Sequence, residues 1–180
     1  MDVLVFIDKL DDLVHNAKAV PLTDQVRIDR DEIYDRVVVG VVRDPQHKST
    51  MFTVEERVEF IRTALVDNGD PKNVEVDVFA ELVVEFARRW GAKTMVKGLR
   101  VISDFEWEFQ MNHLNRLLAP EIETMYVMAS PQYSFVSSSG VREIASFGGD
   151  VDQLVPPAVA ERFRQLYPEA RPGAPVSPRE

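Results

Sequence analysis

The chain is organised by how its apolar residues are spaced. Val37 to Val42 is a β-branched run broken only by Gly40, as in a strand buried on both faces. Val54, Val58, Ile61 and Leu65 then recur at helical spacing, and Thr53 with Glu56 three residues on makes a capping box at the helix start. Asn73 to Phe79 alternates, with Val74, Val76 and Val78 on one face, and predicts a second strand. Leu82, Val83, Phe86 and Trp90 mark the next helix, with Gly91 at its C-terminal end. Lys93 to Val96 reads as a short strand, Asp104 to Leu118 as a long helix stopped before Pro120, and Glu123 to Met128 as a further strand. Ser138 to Ser146 and Pro157 to Leu166 read as closing helices.

Strands alternating with helices of this length predict an α/β layer fold with a mainly parallel sheet and right-handed crossovers. Ligands of such sheets sit beyond the carboxyl ends of the strands. That rule selects the loops after Val42, Phe79, Val96 and Met128. The expected organisation is an atypical N-terminal segment over 1–35, a domain over 36–167, and a disordered Pro-rich tail over 168–180, which holds Pro168, Pro172, Pro175 and Pro178.

Charge narrows the function classes. Formal net charge is −9, the opposite of a nonspecific nucleic-acid binder, so no nucleic-acid partner is expected. In an acidic chain, cations placed at strand ends carry more information than they would in a basic one. No apolar run approaches the roughly 18–20 residues that span a bilayer, and the first residues lack the basic region of a signal peptide. Cysteine is absent, which excludes disulfides and thiolate metal sites and suits a cytoplasmic setting. No pair of histidines has metal-ligand spacing, so no protein-built metal site is expected.

Three of the selected loops carry candidate chemistry. The first, Arg43 to Thr50, offers Lys48 to an anionic oxygen, or Lys48 is a solvated turn lysine. The third, Lys97-Gly98-Leu99-Arg100, sets two cations around a glycine, able to grip phosphate oxygens or to form a surface turn. The fourth, Tyr133-Ser134-Phe135-Val136-Ser137-Ser138-Ser139, brings hydroxyls and free N–H groups to a helix start, which suits phosphate binding and plain capping equally. On the long helix, Asp104, Glu106 and Glu108 crowd the expected first turn, where the macrodipole favours carboxylates. Trp107 and Phe109 are expected in the core. His113, Asn112 and Asn115 are expected to face solvent or a neighbouring subunit.

Together these segments resemble the phosphopantetheine adenylyltransferases. The resemblance is carried by Met51-Phe52-Thr53-Val54-Glu55-Glu56-Arg57, Lys97-Gly98-Leu99-Arg100, Asp104-Phe105-Glu106, Glu108, Gln110-Met111, Asn115, Tyr133 to Ser139, Gly148-Gly149-Asp150-Val151 and Val155-Pro156. It implies a Rossmann-like nucleotidyltransferase fold, often hexameric. It also implies adenylyl transfer from ATP, with Mg2+, to 4′-phosphopantetheine, giving dephospho-coenzyme A and pyrophosphate in cytoplasmic coenzyme A biosynthesis. By position, Lys48 (or His47) would contact the pantetheine substrate, Leu82 and Val83 would line its pocket, and Lys97 would contact its phosphate. Gly98, Leu99, Arg100, Glu108 and Tyr133, Ser134, Phe135, Val136, Ser137, Ser138 and Ser139 would form the ATP site.

One family feature has no counterpart. Members begin with a strand, a glycine-(serine or threonine)-phenylalanine-aspartate-proline turn, and a glycine-histidine pair whose histidine steadies charge on the transferring phosphate. No Gly-His pair occurs in this chain, and His15 follows Val14, so no catalytic residue is assigned. The first 35 residues resemble instead, more weakly, an actinobacterial DivIVA-like cell-division initiation protein, through Asp8 to Leu13, Val20-Pro21-Leu22 and Val26 to Asp29. The chain then reads as a hybrid joined near Tyr34-Asp35, with impaired turnover. Its first strand, loop and helix would be missing or replaced, with Val3 to Ile7 able to take the strand's place. A non-catalytic binder of ATP or coenzyme A, and an interaction module guided by residues 1–35, are the alternatives.

Overall fold

The structure, a computed structural model, describes residues 3–7, 35–45, 50–128 and 134–168, the first of these by backbone alone. Five strands run in chain order with five helices: β1 Val3–Ile7, β2 Arg36–Val42, α1 Val54–Asp67, β3 Val74–Phe79, α2 Val83–Arg89, β4 Thr94–Leu99, α3 Ile102–Leu118, β5 Glu123–Met128, α4 Ser138–Ser146 and α5 Pro157–Leu166. The sheet order is β3-β2-β1-β4-β5, and every pairing is parallel. This is the predicted Rossmann-like α/β class.

Val3–Ile7 occupies the centre of the sheet. Its backbone pairs with β2 from Val3↔Arg36 to Ile7↔Gly40, and with β4 from Leu4↔Thr94 to Phe6↔Val96. The place of a first family strand is therefore filled, and β2 and β4 present no open interior edge. Strand order reverses beside β1, which makes the carboxyl ends of β1 and β4 the topological switch point, the place where ligands of such sheets bind.

Alternation along the strands sorts side chains into two cores. Val37, Val39 and Val41 of β2 and Val96 of β4 face one side with Phe60, Ile61 and Leu65 of α1, Val141 of α4, and Val159 and Phe163 of α5. Val38 and Met95 face the other, with Phe79, Val84, Phe86, Ala87 and Ile122. Each fully buried valine or phenylalanine contributes about 1.5–3 kcal/mol. Gly40 is demanded by this packing: a Cβ there would lie 2.6 Å from Phe86 Cε1, whose ring stacks on Phe79 at 4.4 Å.

Local signals end the helices as expected. Thr53 Oγ1 accepts from Glu56 N at 3.2 Å, and Glu56 Oε2 accepts from Thr53 N at 2.9 Å, closing the capping box of α1. Gly91 follows α2 at φ +67°, the left-handed conformation that an L side chain rarely adopts.

The long helix departs from expectation. It starts at Ile102, so Glu106 and Glu108 fall beyond its first turn, which holds Asp104 alone among acidic residues. Trp107 and Phe109 are 47% and 51% exposed rather than in the core. The residues α3 buries are Glu108 and Asn115, so Asn115 does not face solvent. The helix is turned with its polar stripe inward because Glu108 pairs with Lys97 of β4. Its apolar stripe is left outward, with Ile102 82% and Leu117 80% exposed.

Candidate active site

β4 runs three pairings further than its short apolar run implied. Lys97, Gly98 and Leu99 pair with Tyr126, Val127 and Met128, so the loop begins at Arg100. Strand alternation places Lys97 on the same face as Met95, toward α3. There its Nζ meets Glu108 Oε2 at 2.6 Å, and the two side chains are only 12% and 6% exposed. Gly98 points to the opposite face. A Cβ there would meet no atom within 4 Å, so the chain's own packing does not require glycine, and the space above the backbone is open.

Arg100 joins two of the predicted segments. Its Nε and Nη2 donate to Asp104 of α3 at 3.1 and 3.3 Å, and its Nη1 donates to the carbonyl of Val136 at 2.9 Å. The strand end and the serine segment therefore meet at one guanidinium. Ser137 is the N-cap of α4, accepting from Gly140 N at 3.1 Å, and its hydroxyl lies 3.2 Å from that of Ser139. Ser138 and Val136 are buried, Ser134 is half-buried, and Ser139 and Phe135 are exposed. Leu82 is the exposed N-cap of α2 and Val83 its half-buried first residue, beyond the carboxyl end of β3. Lys48, His47, Tyr133 and His15 lie outside the described residues.

Three further polar groups were not singled out in the sequence reading as site residues. Tyr126, opposite Lys97, donates its hydroxyl to the main-chain carbonyl of Glu108 at 3.1 Å. Asn115, also on the inward stripe of α3, is 5% exposed, and its Nδ2 has no hydrogen-bond partner among the described residues. Arg57 of α1 is buried at the end of β2, where it takes main-chain carbonyls. The sequence carried signals for two of them. Tyr126 is the aromatic residue of β5, and Arg57 falls on the apolar face set by Val54, Val58 and Ile61.

Burial, and behind it the Glu108 carboxylate, push the Tyr126 hydroxyl up to about 12. An unfolded tyrosine ionises near about pH 10. Between these values the unfolded chain has lost the proton that the folded chain keeps. Stability from this group is therefore complete below the unfolded value and falls as pH rises toward the folded one. A spectrophotometric phenolate titration is expected to find a late-ionising tyrosine that disappears in Tyr126→Phe. A normal titration in the native protein would remove this account of the Lys97-Glu108-Tyr126 cluster.

Among the described residues no three histidine, aspartate or glutamate side chains gather to hold a metal ion. The edge offers cations, hydroxyls and N–H groups, which are donors for phosphoryl oxygens. No helix among the described residues is long and apolar enough to cross a membrane.

Known proteins resemble this chain over most of its length. A cytidylyltransferase-like family profile matches residues 12–144. A phosphopantetheine adenylyltransferase of Synechococcus sp. (strain JA-3-3Ab) is 47% identical over 136 residues, covering 76% of this chain and 83% of the relative. That of Moorella thermoacetica is 50% identical over 135 residues, covering 75% and 82%. That of Heliobacterium modesticaldum is 47% identical over 146 residues, covering 81% and 84%. A Vibrio parahaemolyticus crystal structure assigned to the nicotinate-nucleotide adenylyltransferases superposes with a TM-score of 0.58 at 12% identity, covering 91% of this chain and 99% of that one, a likeness of fold. With these identities over three quarters of its length and this sheet order, the chain belongs to the phosphopantetheine adenylyltransferase family.

Proposed function

We propose that the chain binds ATP and 4′-phosphopantetheine beyond the carboxyl ends of the strands around the β1–β4 switch point and transfers adenylyl between them. A phosphate oxygen of 4′-phosphopantetheine attacks the α-phosphorus of ATP. The bond from that phosphorus to the oxygen bridging the β-phosphate breaks, and pyrophosphate leaves with dephospho-coenzyme A as the other product. The observation that carries this reading is the bond from Arg100 to the Val136 carbonyl, which brings a cationic strand end and a hydroxyl-rich helix start into one rim.

In this reading the residues divide by substrate. Lys97, Lys48 and Val83 meet 4′-phosphopantetheine. Gly98, Leu99, Arg100, Glu108 and the segment from Tyr133 to Ser139 meet ATP. Gly98 leaves its backbone open to the nucleotide, and α4 presents its N-terminal N–H groups to phosphate. The buried Nδ2 of Asn115, which has no hydrogen-bond partner among the described residues, is suited to a carbonyl of the pantetheine arm. Magnesium arrives with ATP and supplies charge neutralisation of the phosphates. A cytoplasmic setting belongs to the same proposal, supported by the absence of cysteine.

Isothermal calorimetry on the full chain tests the binding half of this reading. Heat is expected with magnesium–ATP and with 4′-phosphopantetheine. A folded sample that takes up neither ligand would end the reading. A second reading, a binder of ATP or coenzyme A without turnover, is favoured by the missing Gly-His pair. It keeps both heats and lacks pyrophosphate release.

The chain is also proposed to form a homo-oligomer, a hexamer by family resemblance. The support is α3, which turns Ile102, Phe105, Trp107, Phe109, Leu114 and Leu117 outward from its own core. Another copy of the chain would cover them. Sedimentation is expected to find an assembly in the native protein and a monomer in the variant Ile102→Glu with Leu117→Glu. A native protein that sediments as a monomer would discard the proposal.

A further inference from the structure

Arg57 is 2% exposed, the least of any charged side chain among the described residues. It sits at the N-terminal end of α1, where the macrodipole disfavours a cation. Around it lie Val54, Val58 and Ile61 of the same helical face. Desolvating a guanidinium is costly, and an apolar side chain of similar volume commonly packs as well or better. Packing alone therefore gives no reason for arginine at this position.

Its hydrogen bonds give one. Nη1 donates to the carbonyl of Val42 at 2.9 Å and Nη2 to that of Arg43 at 2.8 Å. Nε donates to the carbonyl of Thr53 at 3.4 Å. Val42 ends β2, Arg43 begins the connection that follows, and Thr53 is the N-cap that closes it. One planar group thus ties together both ends of the β2–α1 connection. Arg43 N–H donates in turn to the Phe79 carbonyl at 2.7 Å, which adds the end of β3 to the same knot. The rigid fork of arginine suits several carbonyls at once, whereas the point charge of lysine does not hold them in one plane.

We propose that Arg57 is a positioning residue for the substrate side of the site: its guanidinium fixes the base of the β2–α1 connection and hence the path the chain takes out of β2. The inference rests on the proposed function, which assigns Lys48 of this connection to 4′-phosphopantetheine, and Gly98 to Arg100 with the Tyr133–Ser139 segment to ATP. Arg57 acts through the connection and does not touch substrate.

The test compares the native chain with Arg57→Met, which keeps much of the volume and removes the fork, and Arg57→Lys, which keeps the charge. Amide hydrogen exchange of Arg43 to Thr53 is expected to quicken by about tenfold or more in Arg57→Met, as a lost charged hydrogen bond implies. Exchange in β4 and α5 should stay as in the native chain. By calorimetry, 4′-phosphopantetheine is expected to bind about tenfold more weakly, with ATP affinity nearly unchanged and Arg57→Lys intermediate. Equal exchange in the connection, uniform acceleration across the chain, or equal weakening of both ligands would overturn the proposal. If Arg57→Met does not fold, Arg57→Lys carries the same comparisons. If the native chain binds neither ligand, the proposed function fails while the exchange pattern still decides the clamp.

Discussion

Pyrophosphate release by this chain, with ATP, magnesium and 4′-phosphopantetheine all saturating, is expected to run about a hundred- to a thousand-fold below that of a family member with the Gly-His pair. Adenylyl transfer leaves the protein little covalent work. Its rate rests on positioning and on donors aimed at charge that builds on the transferring and leaving oxygens. Loss of one such donor commonly costs about 2.7–4 kcal/mol, which is that factor in rate. This chain has three histidines, His15, His47 and His113, and none follows a glycine. His113 is committed on the outer side of α3, edge-on to Phe109 at 4.6 Å. The cations and hydroxyls at the ends of β4 and β5 remain, so binding should survive better than turnover. Replacing residues 8–34 with the connection of a Gly-His-bearing relative is expected to restore most of the rate. Turnover of the native chain within about tenfold of that relative would show that the lost donor is dispensable here.

The same residues explain what the sequence alone could disclose. β2 was legible because it is a run of valines, four of them buried, and α1 because its capping box is local. α4 was legible at both ends, since Ser137 caps it and Gly148 follows at φ +76°. The end of β4 was not legible. Lys97-Gly98 has the composition of a turn, and it is strand only because β5 supplies partners as far as Met128. The orientation of α3 was not legible either. A helix with one apolar and one polar stripe normally buries the apolar one. Here a buried Lys97-Glu108 pair and Asn115 hold the polar stripe against the sheet, a tertiary fact with no local signature. The strand composition of Val3–Ile7 was visible. Its central place follows from the vacancy between β2 and β4, which only the assembled sheet defines. In the site, strand-end cations and helix-start serines could be chosen because topology ranks the loops. Arg57 was passed over because an arginine within an apolar stripe looks like an ordinary surface interruption.

Lys97→Met is expected to lower the free energy of unfolding by about 3–5 kcal/mol in urea denaturation, a large share of the roughly 5–15 kcal/mol typical of such domains. The variant leaves the Glu108 carboxyl, 6% exposed, without the ammonium 2.6 Å away. Removing one partner of a buried pair is costly for that reason, whereas replacing both with apolar residues is often neutral. The double variant Lys97→Met with Glu108→Leu should therefore recover most of the lost stability. Ligand binding should not recover with it. If Lys97 serves the substrate phosphate, 4′-phosphopantetheine must draw the ammonium away from Glu108. Loss of a charged hydrogen bond then weakens it by about 1.5–3 kcal/mol, roughly ten- to a hundred-fold, in the single and the double variant alike. Stability and affinity part company only if the lysine has two employments, holding α3 polar side inward when the site is empty and meeting phosphate when it is filled. Undiminished stability in Lys97→Met would mean that water already screens the pair. Full affinity in the double variant would transfer the phosphate to another cation of the rim, with Arg100 the nearest along the chain.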